Sequence, residues 1–246
     1  MLLDPPIAHG PDHGLTDHLQ AVAAIARRQA PARSASWAEV AGLWHDLGKF
    51  RPGFQRYVRT DAEAHIEGRG VGQRDKSHSA AGALHALAAL EARFGDPGRR
   101  AGWVLAQLIV AHHAGLYDSQ VLRERLQGSG AADSRREHDE AVLACSDHAP
   151  GLLAPPSEFD AAGLFAAIPG LQQREPLAQA LWLRMLFSAL VDADFLDTEA
   201  YMDRQRSRAR PGFPSLHEYQ ARLDDHLETL ARSVHAAGRS GEPVMQ

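Results

Sequence analysis

Fourteen histidines in 246 residues are more than packing ordinarily needs, and several stand in apolar helical stretches rather than in polar loops. The densest chemistry is His45-Asp46, an imidazole beside a carboxylate within Gly42-Leu43-Trp44-His45-Asp46-Leu47-Gly48-Lys49. Val40, Leu43, Trp44 and Leu47 carry the i, i+3, i+4, i+7 spacing of a buried helical face. Ionisable groups on such a face are costly unless they are paired or bind metal, so His45-Asp46 calls for partners elsewhere in the chain.

Residues of matching type recur along the sequence. His18 shares a stripe with Val22 and Ile25, and His78 stands at the first turn of a later helix. His112-His113 close another helix before Gly115. Adjacent histidines point about 100° apart on a helix, so both reach one ion only where the last turn loosens. Asp192 and Asp194 end a long apolar run; Asp194 continues the inward face of Leu190 and Val191, whereas Asp192 lies more to the side and is the fallback. Five histidines and two carboxylates suit two divalent ions, provided one carboxylate bridges them and positions stay open for water and substrate. Lys49, within one turn of His45 and Asp46, either completes a helix C-terminus or serves the site.

The elements that must position these groups read as helices. Leu15 to Ala26 is periodic, with Thr16 or Asp17 as the cap. Ser36-Trp37-Ala38-Glu39 has the form of a capping box, so the His45-Asp46 helix starts there and ends near Gly48. After a short amphipathic segment from Phe54 to Val58, the stretch from Thr60 to Lys76 reads as a polar surface loop. Helices follow from Ser77 to Phe94 and from Arg99 to the paired histidines, with His85 an ordinary half-buried residue. Asp118 to Leu126 and Ser134 to Cys145 read as shorter helices. Pro176 opens the most hydrophobic helix, with Leu177, Leu181, Trp182, Met185, Leu186, Ala189 and Leu190 on its stripe, ending at Asp192 to Asp197. Arg204, Arg206, Arg208 and Arg210 form the clearest basic run before a last amphipathic helix from Leu216 to Val234. No strand-rich region and no internal repeat is evident, so the expectation is one all-α domain over residues 1–246, a helical bundle with a buried metal site.

Composition narrows the class. At 44% hydrophobic residues and without an apolar run long enough to span a bilayer, the sequence reads as a cytoplasmic globular protein without a signal peptide. The single cysteine, Cys145, leaves any metal to histidine and carboxylate. A formal net charge of −5 means that gripping DNA needs a local patch, bound cations or a partner. Arg204, Arg206 and Arg208 are one such patch, and Arg51, Arg56 and Arg59 beside His45-Asp46 a second.

Trp44-His45-Asp46-Leu47-Gly48-Lys49, Phe54-Gln55-Arg56-Tyr57, His65-Ile66-Glu67-Gly68, Lys76-Ser77-His78-Ser79, Ala111-His112-His113-Ala114-Gly115 and Leu190-Val191-Asp192-Ala193-Asp194 together resemble the HD-type nuclease domain of the CRISPR-associated nuclease-helicase of type I systems, in its I-C branch. The resemblance covers nearly the whole chain. It implies an HD-superfamily helical bundle, two divalent metal ions (manganese, nickel, cobalt, iron or magnesium), and cutting of the single-stranded DNA displaced when a guide-RNA surveillance complex opens its target. It further implies that His18, His45, Asp46 and Asp194 hold one ion, with Asp46 bridging to a second held by His78, His112 and His113. Lys49 is then a supporting residue or a phosphate contact. No Gly-rich phosphate loop with Lys-Ser or Lys-Thr is present, so the expectation is an excised domain or separate subunit whose helicase is supplied elsewhere.

The reaction expected from such a site is metal-assisted phosphodiester hydrolysis without a protein nucleophile. A phosphohydrolase acting on nucleotides or cyclic nucleotides would use the same cluster, and a non-catalytic helical interaction module would have little use for it.

Overall fold

The computed structural model describes residues 4–60, 78–129, 131–166, 168, 175–210 and 216–236. The expected polar loop therefore falls largely outside the described residues, as do His65-Ile66-Glu67-Gly68 and Lys76-Ser77. The chain divides into two compact units, Met1–Met202 and Asp203–Gln246.

The first unit is an all-α bundle apart from a small antiparallel hairpin, β1 (Ile7–His9) with β2 (His13–Gly14), in which His9 pairs with His13. Its helices are α1 (Leu15–Gln29), α2 (Ala35–Trp44), α3 (Pro52–Thr60), α4 (Ser79–Phe94), α5 (Asp96–Ala111), α6 (Ser119–Gln127), α7 (Ala132–His148), α8 (Ala161–Ala166) and α9 (Pro176–Met202). Helix α1 packs on α2 and α9, and α4 packs on α5 and α7. Between them Val22, Trp37, Trp44, Leu90, Leu105, Leu108 and Leu186 form the main core. Trp37 meets Trp182, Phe159 and Phe165 edge to face, an arrangement that suits the ring quadrupoles.

Close helix packing depends on small residues. A Cβ on Gly42 would lie 2.6 Å from the Ala23 Cα, and one on Gly82 would lie 1.7 Å from the Trp44 carbonyl oxygen, so α1 and α4 touch α2 backbone to backbone. The histidines at the ends of α2 and α5 are thereby drawn toward one point.

Several expectations are corrected. Ser36 is not a cap: α2 begins at Ala35, two residues earlier than that cap requires, Ser34 in the cap position makes no capping bond, and its hydroxyl instead accepts from the Trp182 indole. Glu39 pairs with Arg27 across α1 and α2. Neither Thr16 nor Asp17 caps α1, which starts from Gly14 without a side-chain cap. Helix α2 ends at Trp44 rather than near Gly48, and Leu47–Phe50 forms a separate 3₁₀ turn. Helix α9 runs through Asp192 and Asp197 to Met202 instead of ending there. Of its expected stripe, Leu177, Leu181 and Met185 are exposed, while Trp182, Leu186, Ala189 and Leu190 are buried, as is Ala193 beyond it. The segment is apolar nearly all round, so its period does not select a face.

In the second unit, Arg204–Ala209 is a short helix, α10, capped by the Asp203 carboxylate on the Arg206 amide at 2.9 Å. Leu216–Ala236 forms α11, whose Tyr219, Leu223, Leu227 and Leu230 are all exposed. Among the described residues no helix is long and apolar enough to cross a membrane.

Candidate metal centre

The termination of α2 at Trp44 brings the sequence-adjacent pair together. His45 keeps helical angles, but Asp46 departs to φ −112°, ψ 20° before the 3₁₀ turn. On a continuous helix the two side chains would diverge; here His45 Nε2 lies 3.3 Å from Asp46 Oδ2. Both residues are fully buried.

Around Asp46 stand two groups of side chains. His18, His45, Asp46 and Asp194 each offer a ligand atom, all within 4.8 Å of one another, and so do Asp46, His78, His112 and His113. His18 Nε2 is 3.5 Å from Asp46 Oδ2 and 3.4 Å from Asp194 Oδ1. On the other carboxylate oxygen, His78 Nε2 and His112 Nε2 lie 3.2 and 3.3 Å from Asp46 Oδ1. His113 Nε2 meets His78 Nε2 at 2.9 Å. Helix α5 ends at Ala111, so His112 and His113 sit in the loosened turn that Gly115 closes at φ +91°.

The donor set fits divalent cations on an observation independent of spacing. Among the described residues, His18 Nε2, His45 Nε2, His112 Nε2 and Asp46 Oδ1 are buried without a hydrogen-bond partner, and Asp46 Oδ2 faces only the Lys49 ammonium and histidine nitrogens. Buried polar atoms are normally satisfied, and four orphans converging on one centre mark a place for a ligand. Their rings are held from behind: His45 Nδ1 donates to the Gly42 carbonyl at 2.8 Å, His112 Nδ1 to Ile109 at 2.6 Å. That fixes the tautomer and turns Nε2 inward, as metal-ligating histidines require.

Electrostatics support the same picture. Burial alone would lower His18, yet Asp194, Asp197 and Asp46 raise it to about 9. Burial likewise opposes protonation of His45, but Asp46 and Asp194 raise it to about 10. Burial would raise Asp46, whereas Lys49, His45 and His78 hold it well below the carboxylate range. Asp194 is held low against burial by His18 and His45. For His112 burial dominates and lowers the ring.

Lys49 is buried, with Nζ 2.7 Å from Asp46 Oδ2, so it compensates the central carboxylate rather than capping α2. Asp192 is exposed and accepts from Gln29 Nε2 at 2.7 Å, which separates it from the cluster that Asp194 joins. Arg51, expected on a basic surface patch, is buried and bonds Glu140 at 3.0 Å. Arg56 is exposed. On helix α10, Arg204 and Arg208 share a face while Arg206 points away, so alternate spacing does not make one stripe there. His85 packs edge-on against Trp44 at 4.8 Å and bonds the Leu153 carbonyl, outside the centre.

Three residues were missed. Asp197 contacts His18 Nδ1 at 2.7 Å, and the hairpin places His9 and His13 beside it. The spacing of Asp197 three residues after Asp194 is a usable signal on a helix; His9 and His13 fall in no periodic segment.

A helical bundle in which buried histidines and aspartates converge in this way carries the donor set of a divalent-metal centre. The family model described as "Cas3, HD domain" matches residues 8–183, and the chain belongs to that family, the HD nuclease domain of Cas3-type CRISPR proteins. No curated protein matches the chain.

Proposed function

We propose that this domain hydrolyses phosphodiester bonds of single-stranded DNA, using two divalent ions that share Asp46. His18, His45 and Asp194 complete one ligand set; His78, His112 and His113 complete the other. The single observation carrying this reading is the convergence of orphaned, buried nitrogen and oxygen atoms on both sides of one carboxylate. When bound, such ions activate water as a nucleophile near neutral pH and stabilise charge on the leaving oxygen.

The chain's own residues orient and balance this centre. Asp46 presents one oxygen to each set, and Lys49 neutralises part of its charge at 2.7 Å. Backbone carbonyls of Gly42 and Ile109 hold the rings of His45 and His112. His113 is exposed and Asp194 and His78 are partly so, which puts the open edge, where a phosphate backbone would enter, on that side. Arg56 and the arginines Arg204, Arg206 and Arg208 remain the proposed DNA contacts; Arg51, turned to Glu140, is withdrawn.

The substrate is proposed to be the strand displaced when a type I guide-RNA surveillance complex opens its target, fed by a helicase on another segment or polypeptide. The test offers the purified protein single-stranded DNA, duplex DNA, mononucleotides and cyclic nucleotides side by side with manganese. Selective cutting of single strands supports the reading. Turnover confined to the small substrates would replace it with a nucleotide phosphohydrolase.

A further inference from the structure

His18 poses a problem that His45 and His112 do not. Those two sit just past helix ends and each bonds the carbonyl three residues back, which the helix leaves free. His18 lies within α1, where carbonyls are taken by the helix ladder. Its Nδ1 must find an acceptor elsewhere, and Asp197 Oδ2 supplies it at 2.7 Å.

Asp197 lies one turn beyond Asp194 on α9, so both carboxylates share a face. One turn of α9 therefore addresses both ring nitrogens of His18: Asp194 Oδ1 stands 3.4 Å from Nε2, Asp197 Oδ2 2.7 Å from Nδ1.

The hairpin extends the contact. Asp197 Oδ2 is 3.3 Å from His13 Nε2. His13 Nδ1 faces His9 Nδ1 at 3.3 Å, and His9 Nε2 faces Lys49 Nζ at 3.1 Å. Lys49 can only donate, so His9 accepts at Nε2 and carries its proton on Nδ1. His9 then donates to His13 Nδ1, which leaves the His13 proton on Nε2 to reach Asp197. One assignment of protons satisfies every link, from the ammonium beside Asp46 to the carboxylate behind His18. Tyr201 holds the hairpin in place: its ring stacks on His13 at 4.4 Å, and its hydroxyl donates to Asp12 at 2.5 Å.

We infer that Asp197, braced by His9 and His13, is a positioning residue that fixes the His18 ring with Nδ1–H outward and Nε2 free for a divalent cation. The inference rests on the two-ion reading above. Carboxylates behind metal-bound histidines orient the ring and strengthen it as a ligand, and their loss typically costs 10- to 100-fold in metal affinity.

The test is calorimetric titration of manganese into the full chain, for the wild type and for Asp197→Ala, Asp197→Asn and His9→Ala, with Asp192→Asn as the control on the same helix. The wild type is expected to take up two ions. Asp197→Ala should weaken one of them by about 10- to 100-fold and leave the other unchanged, while Asp197→Asn, which keeps an acceptor, should recover part of the loss. Circular dichroism should show each variant folded. Unchanged affinities in Asp197→Ala would overturn the inference and leave the two-ion reading standing, whereas no uptake by the wild type would sink that reading itself. A third ion lost in His9→Ala would also overturn the inference, because the cluster of His9, His13 and His18 would then be a ligand set rather than a brace.

Discussion

Gly48 lies directly against the backbone of His78: a Cβ at Gly48 would stand 2.1 Å from the His78 carbonyl oxygen and 2.6 Å from its Cα. Those atoms are main chain and cannot rotate aside. The glycine that follows His45-Asp46-Leu47 is thus what lets the start of α4 approach Asp46, and it accounts for the 3.2 Å separation of His78 and that carboxylate. Gly48→Ala is expected to push His78 outward, destabilise the fold by about 1–3 kcal/mol through overpacking, and weaken the ion held by His78, His112 and His113 more than its neighbour. Thermal unfolding and metal titration on the same preparation check both halves.

Removing the shared carboxylate should be decisive for activity. Asp46→Ala is expected to reduce metal-dependent cleavage to background while the far-ultraviolet circular dichroism stays helical, since the proposal makes the lost group a ligand and not a packing element. His85→Ala, which gives up a hydrogen bond to Leu153 and an edge contact with Trp44, should cost about 1–3 kcal/mol of stability yet leave cleavage per folded molecule near wild type. His138, half-buried on α7 beside Asp139 and in neither ligand group, gives the second control: His138→Ala should change neither quantity much. Wild-type cutting by Asp46→Ala would remove that residue from the site.

The pH dependence has a definite sign. In the metal-free protein the folded pKa values of His18 and His45 are raised to about 9 and about 10, above the ordinary 6.5. The stability they contribute is fully present below pH 6.5 and is lost as pH rises through 9 to 10. Metal must displace those same protons, so its apparent affinity should climb over that window, by up to about tenfold per pH unit for each proton displaced. Chemical denaturation of chelator-treated protein, alongside manganese titrations at several pH values, should give opposite slopes. Parallel slopes would contradict the assignment.

Arg51 and Arg56 are separated by their surroundings. Arg51→Ala breaks a partly buried contact with Glu140 and should lower stability by about 1 kcal/mol, with little effect on the salt dependence of single-stranded DNA binding. Arg56→Ala should do the reverse, weakening DNA binding and lowering the slope of log affinity against log salt by about 0.7. Fluorescence anisotropy at several salt concentrations distinguishes the two.

Much of this was legible in the residues. Apolar periodicity located α1, α4, α5 and α7, and the clustering of histidine and aspartate at helix ends marked the groups that the fold brings around Asp46. What was not legible depends on tertiary contact. The capping box at Ser36 has the right spelling, but the Trp182 indole recruits Ser34 and the helix starts earlier. The face of α9 was misread because leucines and methionine surround it, and burial there is decided by α1 and α2. Asp192 and Asp194 differ by 200° around that helix, and only Asp194 turns toward His18 and His45. His9 and His13 lie on a hairpin too short to leave a periodic trace, although the hairpin brings them against Lys49 and Asp197.

Anomalous diffraction from crystals grown with manganese addresses the shared-carboxylate claim most directly. Two peaks about 3.5–4 Å apart, one on each oxygen of Asp46, are predicted: one ringed by His18, His45 and Asp194, the other by His78, His112 and His113. A single peak, or ions bound without Asp46 between them, would contradict it.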